Sequence, residues 1–298
     1  CARWVSLTRH FLALSIFATS LLWPTFERGF FCGDESLMYP YKEDTVTVPV
    51  LRIVGLALPI AFLACEWTYL RKVRDDQRCL GVLLPVWVRG FYCVLLSFAI
   101  GLCFVEVTTN IAKKTIGRPR PHFFDICQPS IDCSAPEWTG RYIQSADYTC
   151  TGTRVDRMEE MRKSFLSGHS SWAAFSMIYL ALYLQKRMSW QGTRALRHTL
   201  QYGAVMLSWF TALSRISDFK HHWSDVLAGY SLGTIFAIIM LHSGSAGRSE
   251  ILNLNVVHFL ILPPAVYSPS VLRIFDQITC TDASSTFYTH PEKSAQRR

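Results

Sequence analysis

Charge is the first thing this chain is short of. Of its 298 residues only 17% are charged while 50% are hydrophobic, against roughly 25% charged in soluble domains. A chain so poor in charge does not read as one or two ordinary soluble domains. Cysteine, histidine and carboxylates never fall into a metal-ligand spacing, so no metal and no other cofactor is expected. No N-x-[ST] sequon occurs, so no N-linked glycan is expected. There is no internal repeat and no low-complexity tract, which sets aside solenoids and arrays.

What the chain has instead is long apolar runs. Six charge-poor blocks stand at Phe11–Trp23, Ile53–Leu70, Gly90–Val105, Ser170–Leu184, Thr199–Leu213 and Val226–Leu241. Flanking Trp, Tyr, Arg and Lys extend the shorter ones toward the ~20 residues that cross a bilayer. Arg9 and His10 precede the first block, which is read as a spanning helix rather than a signal peptide. The expected fold class is therefore all-α: a polytopic membrane protein, a six-transmembrane-helix bundle over residues 1–242. Residues 243–298 are expected to form a cytoplasmic tail, interfacial around Val256–Tyr267 and flexible beyond Thr279.

Basic residues in short loops set the orientation. Arg71, Lys72, Arg74 and Arg78 follow the second block, and Lys186, Arg187, Arg194 and Arg197 follow the fourth. Those loops are read as cytoplasmic, with both termini, and the long connection 109–165 as outward-facing. The net charge of +8 follows from this topology and points to no nucleic acid. Cys32, Cys127, Cys133 and Cys150 fall in the outward loops, where disulfides form, with three pairings open. Cys65, Cys93 and Cys103 sit inside apolar blocks.

Ionisable residues at a membrane edge are costly, so they mark function by default. Three clusters stand at block ends: "KKTIGRPRP" (Lys113–Pro121), "SFLSGHSS" (Ser164–Ser171) and "SRISDFKHHWSDVLAGYSLG" (Ser214–Gly233). Counting crossings puts all three on one face. Lys113, Arg120 and Arg215 supply fixed cations suited to a phosphate dianion. Ser167 and Gly168 stand where a helix begins, and helix N-termini bind anions. His221 and Asp225 are four apart, so on a helix the carboxylate could bond one imidazole nitrogen and free the other as a nucleophile. His169 offers a general acid. Each piece has a structural explanation alone: a headgroup anchor, a helix-capping serine, a structural His–Asp bond. Their order and common face carry the reading.

K-x6-R-P, S-G-H and S-R-x5-H-x3-D together resemble the signature of the type 2 phosphatidic acid phosphatase superfamily. "IGRPRPHFFDIC", "SGHSSWAAFSMIYLALYL", "SDFKHHWSDVLAG" and "GDESLMYPYKEDTV" are similar to the animal lipid phosphate phosphatases, over about Arg28–His242. Leu166 stands where many superfamily members have proline. The resemblance implies a metal-independent phosphatase acting through a phosphohistidine. His221 would attack phosphorus, Asp225 fix its tautomer and His169 protonate the leaving alcohol. Lys113, Arg120, Ser167, Gly168 and Arg215 would hold the phosphate, and His222 would have no role. It further implies lipid phosphate substrates (phosphatidate, lysophosphatidate, ceramide 1-phosphate, sphingosine 1-phosphate) and a plasma-membrane site facing outward. A phosphatase of a soluble substrate and a non-enzymatic membrane relative are the alternatives. A transporter would need charges deep in several helices, and the main candidates here, Glu66 and Glu106, both lie near block ends. "GYSLG" (Gly229–Gly233) fits a small-residue helix contact, within the bundle before a homo-oligomer.

Overall fold

The apolar blocks grow into helices longer than the blocks themselves, because polar flanking turns remain helical where they pack against neighbours. The computed structural model describes residues 24–70, 77–79, 82–84, 86–138, 140–188 and 194–243. Its helices in chain order are α1 (Val48–Leu70), α2 (Val86–Ile116), the short α3 (Phe123–Cys127) and α4 (Val155–Met158), then α5 (Gly168–Arg187), α6 (Arg194–Ser217) and α7 (Trp223–Ser243). The Phe11–Trp23 block and the 244–298 tail lie outside the described residues.

Among the described residues, three helices are long and apolar enough to cross a membrane: Val48–Thr68, Gly90–Ile116 and Trp223–Leu241. The expectation of six is met only to that extent, since α5 and α6 fall short on composition. Their positions explain why. Helix α5 is central and packs against α7, α6, α1 and α2. A helix surrounded by protein can carry Ser, Ala and Tyr where a lipid-facing one carries Leu and Ile. Helix α6 is inside out. Tyr202, Trp209, Phe210 and Leu213 are exposed, while Ser208, Thr211, Ser214 and Arg215 are buried.

The body is held by an aromatic core in which Phe62, Phe98, Phe175, Tyr179 and Tyr183 meet with Val105, Ala237 and Met240. Edge-on ring pairs such as Phe62–Tyr183, with centroids 4.6 Å apart, knit α1 to α5. Near the C-terminal ends of α1 and α5, the fully buried Glu66 accepts from Arg187 at 2.8 Å and from the Tyr183 hydroxyl at 2.7 Å. This intramembrane acid is paired in place and spans two helices as a staple.

The connection expected to run as a loop over 109–165 is a folded cap that begins only after Ile116. Strand β1 (Phe30–Phe31) pairs antiparallel with β4 (Tyr142–Ile143). A second antiparallel ladder, β2 (Gln77–Cys79) with β3 (Val82–Leu84), lies between α1 and α2. Phe30, Leu37, Phe123, Ile126, Ile143, Tyr148 and Met161 form the cap's own core. Of the three pairings left open, the fold makes Cys32–Cys133 and Cys127–Cys150. The first ties the segment before α1 to the cap across 101 residues. Cross-links of that reach constrain an unfolded chain strongly.

Candidate active site

The spacing S-R-x5-H is the geometry of a helix C-terminus. Helix α6 ends at Ser217, and Phe219 takes a left-handed conformation (φ 53°) where glycine is the usual choice. Stacking of Phe219 on Tyr39, centroids 4.6 Å apart, offsets that strain of about 1–2 kcal/mol. The reversed chain then returns onto the helix. Lys220 N and His221 N both donate to the Arg215 carbonyl, at 3.0 and 3.2 Å. Guanidinium and imidazole are thus fixed to one backbone oxygen.

Helix α5 opens with Ser167 as its cap, whose hydroxyl accepts from Ser170 N. Its first N–H groups have no intrahelical acceptor and favour an anion. Gly168 leaves room for Lys113, from the last turn of α2: a Cβ there would stand 3.1 Å from the ammonium nitrogen. Gly229 permits α7 to approach the same turn, since a Cβ would meet the Ser167 carbonyl at 2.6 Å. Ser167 N donates to the Asp225 carbonyl at 3.2 Å. The three clusters therefore meet at one end of the bundle.

The Arg120 backbone is held by the Met161 carbonyl at 2.8 Å, and its side chain pairs with Glu160 at 3.1 Å while Nε stays buried without a partner. Burial alone would raise the Glu160 carboxyl, but Arg120, Lys163 and Lys113 outweigh it and hold it below its ordinary value. His169 Nε2 is likewise buried and without a hydrogen-bond partner. An imidazole nitrogen and an arginine N–H held dry and unused are what a site awaiting a polar ligand leaves behind.

The expected His221–Asp225 bond is not what the fold builds. Helix α7 begins at Trp223, so His221 lies before it and the two residues do not share a helical face. His221 Nδ1 donates instead to the Ser164 carbonyl at 2.6 Å, which fixes the tautomer and leaves Nε2 with its lone pair. Asp225 acts one step back. It accepts from the Ser164 hydroxyl at 2.5 Å, from Arg118 Nη1 at 2.6 Å, and from His222 N at 3.1 Å, with His222 Nδ1 at 3.2 Å. His222, read from the sequence as idle, is a partner of Asp225.

Arg215 is 1% exposed and gripped on two sides. Its Nη1 donates to Asp44 at 2.9 Å and its Nη2 to Asp218 at 2.9 Å, with Ser214 Oγ between. Asp218 is fully buried and also accepts from Thr45 N at 2.8 Å and Thr45 Oγ1 at 2.7 Å. The segment before α1 thus straps onto the turn after α6, helped by Lys42 at 3.3 Å from Asp218 and by Lys220 over the Tyr41 ring. Asp44, Thr45, Ser164 and Asp218 escaped the sequence reading. The one available signal was the i, i+3 spacing of Arg215 and Asp218.

The electrostatics follow from a dry, cationic site. Burial, then Arg215, Lys113 and Arg120 against an opposing Asp44, pushes His169 down to about 4. Burial, then Arg120 and Lys113, holds His221 well below 6.5, against the opposing Ser164 carbonyl. Both rings are thereby held toward the neutral form in the free protein, so a general acid at His169 has to gain its proton when the site fills. A phosphate ester bound as its monoanion would oppose that field at His169. The proton can travel with the ester, whose second ionisation lies at about 6.

Comparison with known proteins adds relatives. Residues 91–248 match the PAP2 superfamily. The chain is 42% identical to a Drosophila melanogaster protein provisionally named a phosphatidate phosphatase, over 74% of this chain and 62% of that protein. It thus spans less than two thirds of the fly protein's length. It is 38% identical to phospholipid phosphatase 1 of Mus musculus, over 72% of this chain and 74% of the relative. To phospholipid phosphatase 2 of Homo sapiens it is 36% identical, over 80% and 82%. No solved structure matches.

Proposed function

The chain belongs to the PAP2 superfamily, and from that premise we propose that it is an integral membrane lipid phosphate phosphatase. The observation that carries the reading is the meeting of Lys113, Arg120, Arg215, His169 and His221 at the ends of α2, α5 and α6. Phosphoryl transfer asks mainly for positioning and charge stabilisation, and this set supplies both.

In the proposed reaction Lys113, Arg120 and Arg215 hold the phosphate oxygens with the first turn of α5. His221 Nε2 attacks phosphorus as its Nδ1–H stays on the Ser164 carbonyl. The P–O bond to the lipid alcohol breaks, and the alkoxide takes the proton held at His169 Nε2. Water then attacks the phosphohistidine, with His169 as base, and inorganic phosphate leaves. Asp225 supports this through Ser164. Ser167 caps the helix that presents the N–H groups.

Six crossings are part of the proposal. The inside-out exposure of α6 suits lipid on its outer side, α5 crosses shielded by its neighbours, and the sixth rests on the apolar Phe11–Trp23 sequence. The site then faces outward at the plasma membrane, under a disulfide-tied cap suited to an oxidising space. Residues 1–242 act as one phosphatase unit on phosphatidate, lysophosphatidate, ceramide 1-phosphate and sphingosine 1-phosphate.

The test is hydrolysis of lysophosphatidate added to intact cells expressing the chain, with and without chelator. Activity on intact cells that survives chelation is expected. Activity that appears only after permeabilisation would reverse the orientation, and loss restored by magnesium would remove the metal-free mechanism.

A pH profile tests the histidines separately. A depressed pKa keeps His221 unprotonated, and so nucleophilic, into acid. kcat/KM should therefore persist well below pH 6.5, and fall on the alkaline side as the ester loses the proton it shares with His169. An acid limb centred near 6.5 would overturn the His221 assignment.

A further inference from the structure

The turn at residues 160–164 lies along the 118–120 segment and is fixed there by backbone. Arg120 N donates to the Met161 carbonyl at 2.8 Å and Ser164 N to the Arg118 carbonyl at 3.0 Å. Glu160 is therefore held beside Arg120 by main-chain bonds in which its own side chain has no part. Its carboxylate bridges two cations. Oε2 accepts from Arg120 Nη2 at 3.1 Å, within the phosphate-holding set, and Oε1 stands 3.6 Å from Lys163 Nζ, outside it. Arg120, Lys163 and Lys113 together outweigh its partial burial and keep it charged. The bond to Arg120 is incomplete. Nε and Nη2 form one edge of a guanidinium, and a fully engaged edge binds an oxyanion through two parallel bonds. Glu160 takes Nη2 alone, while Nε stays buried without a partner. The Glu160 side chain is 51% exposed, against 13% for Arg120 and 13% for Lys163. The anion is thus free to turn outward while both cations stay in place.

We infer that the Glu160 carboxylate is the phosphate's stand-in: it occupies Arg120 in the free protein, turns onto Lys163 when phosphate arrives, and returns to displace inorganic phosphate after cleavage. The inference rests on the proposed phosphatase reading and concerns how that site fills and empties. Lys113 and Arg120 are both buried enough that their charges repel each other. Between substrates such a pair needs an anion nearby, because an uncompensated buried charge is costly. That anion must also yield. A half-exposed carboxylate on a single N–H is weakly held, whereas a phosphate can engage the whole Arg120 edge and Lys113 at once. The same competition acts on the product. Inorganic phosphate offers these cations the same oxygens as the ester, so with no rival anion it would remain bound. Glu160 is the rival, tethered where its backbone cannot leave.

The experiment uses the full chain in detergent, with lysophosphatidate as substrate and inorganic phosphate as competitor. Glu160→Gln keeps the shape of the side chain and removes its charge. It is expected to lower the Ki for inorganic phosphate by ~10-fold. Glu159→Gln removes the same charge from the same turn, but from a carboxylate seated on Lys163, and should leave Ki within about twofold. A Ki unchanged in Glu160→Gln, or lowered equally in both variants, would overturn the inference. So would a raised Ki, which would make Glu160 a brace that aims Arg120. The thermal shift given by inorganic phosphate reads the same affinities without turnover. A wild-type chain that cleaves no lysophosphatidate would therefore remove the phosphatase reading, while the shift still decides whether Glu160 competes with the anion.

Discussion

His221→Ala abolishes turnover, by on the order of 10⁴-fold or more, in a protein that still folds. The loss is large because in the proposed reaction the ring forms the bond to phosphorus; without it, only water held among the cations remains. The fold survives because the turn is made by backbone. Lys220 N and residue 221 N still bond to the Arg215 carbonyl, and the Phe219–Tyr39 stack is untouched. The decisive measurement is labelling with a ³²P-phosphate ester, quenched in alkaline detergent. Wild-type protein should carry base-stable, acid-labile label, and His221→Ala none. His222→Ala is the necessary companion, because His222 and not His221 contacts Asp225, and its Nε2 is also buried and unpartnered. It should keep the label while slowing turnover. Label lost from His222→Ala and retained in His221→Ala would exchange the two roles.

The ordering of motifs in the chain carried the site further than it carried the fold. Lys113, Arg120, Ser167, His169, Arg215 and His221 are each recognisable by type and position at a block end, and the fold gathers those ends. Helix limits were less legible. The block Gly90–Val105 becomes Val86–Ile116 because the final turns, with Lys113, pack against α5 and stay helical despite their charge. The blocks Ser170–Leu184 and Thr199–Leu213 become α5 and α6, which are less apolar than a lipid-facing helix, since one is shielded and the other turns its polar face inward. The cap could not be read at all. Its stability comes from contacts such as Phe30–Phe123 and Cys32–Cys133 that join residues about a hundred positions apart. The His221–Asp225 pairing failed for a local reason: a periodicity argument holds only inside a helix, and α7 starts two residues too late. The carboxylates were invisible because "YKEDTV" reads as a solvated surface charge run until Asp44 and Thr45 are placed against Arg215 and Asp218.

Those carboxylates set the last expectation. Asp218→Asn lowers kcat by about 10²-fold although Asp218 touches no substrate. Burial alone would raise its carboxyl, but the Thr45 bonds, Lys42 and Arg215 outweigh it and keep the group ionised. A buried anion with four donors fixes the guanidinium plane, and Arg215 can meet a phosphoryl oxygen in the transition state only in that plane. Asparagine keeps the volume but replaces one acceptor oxygen with a donor facing Thr45 or Arg215. Loss of kcat alone would also fit a general loosening of the strap, so the deciding measurement is a double-mutant cycle with Arg215→Lys. If Asp218 acts through the guanidinium, Asp218→Asn should cost at most about threefold more once Arg215 is lysine. Full additivity, or a matching fall in thermal stability of the single variant, would assign Asp218 to the scaffold. Strong coupling would instead make the strap before α1 part of the phosphate site, although it shares no motif with it.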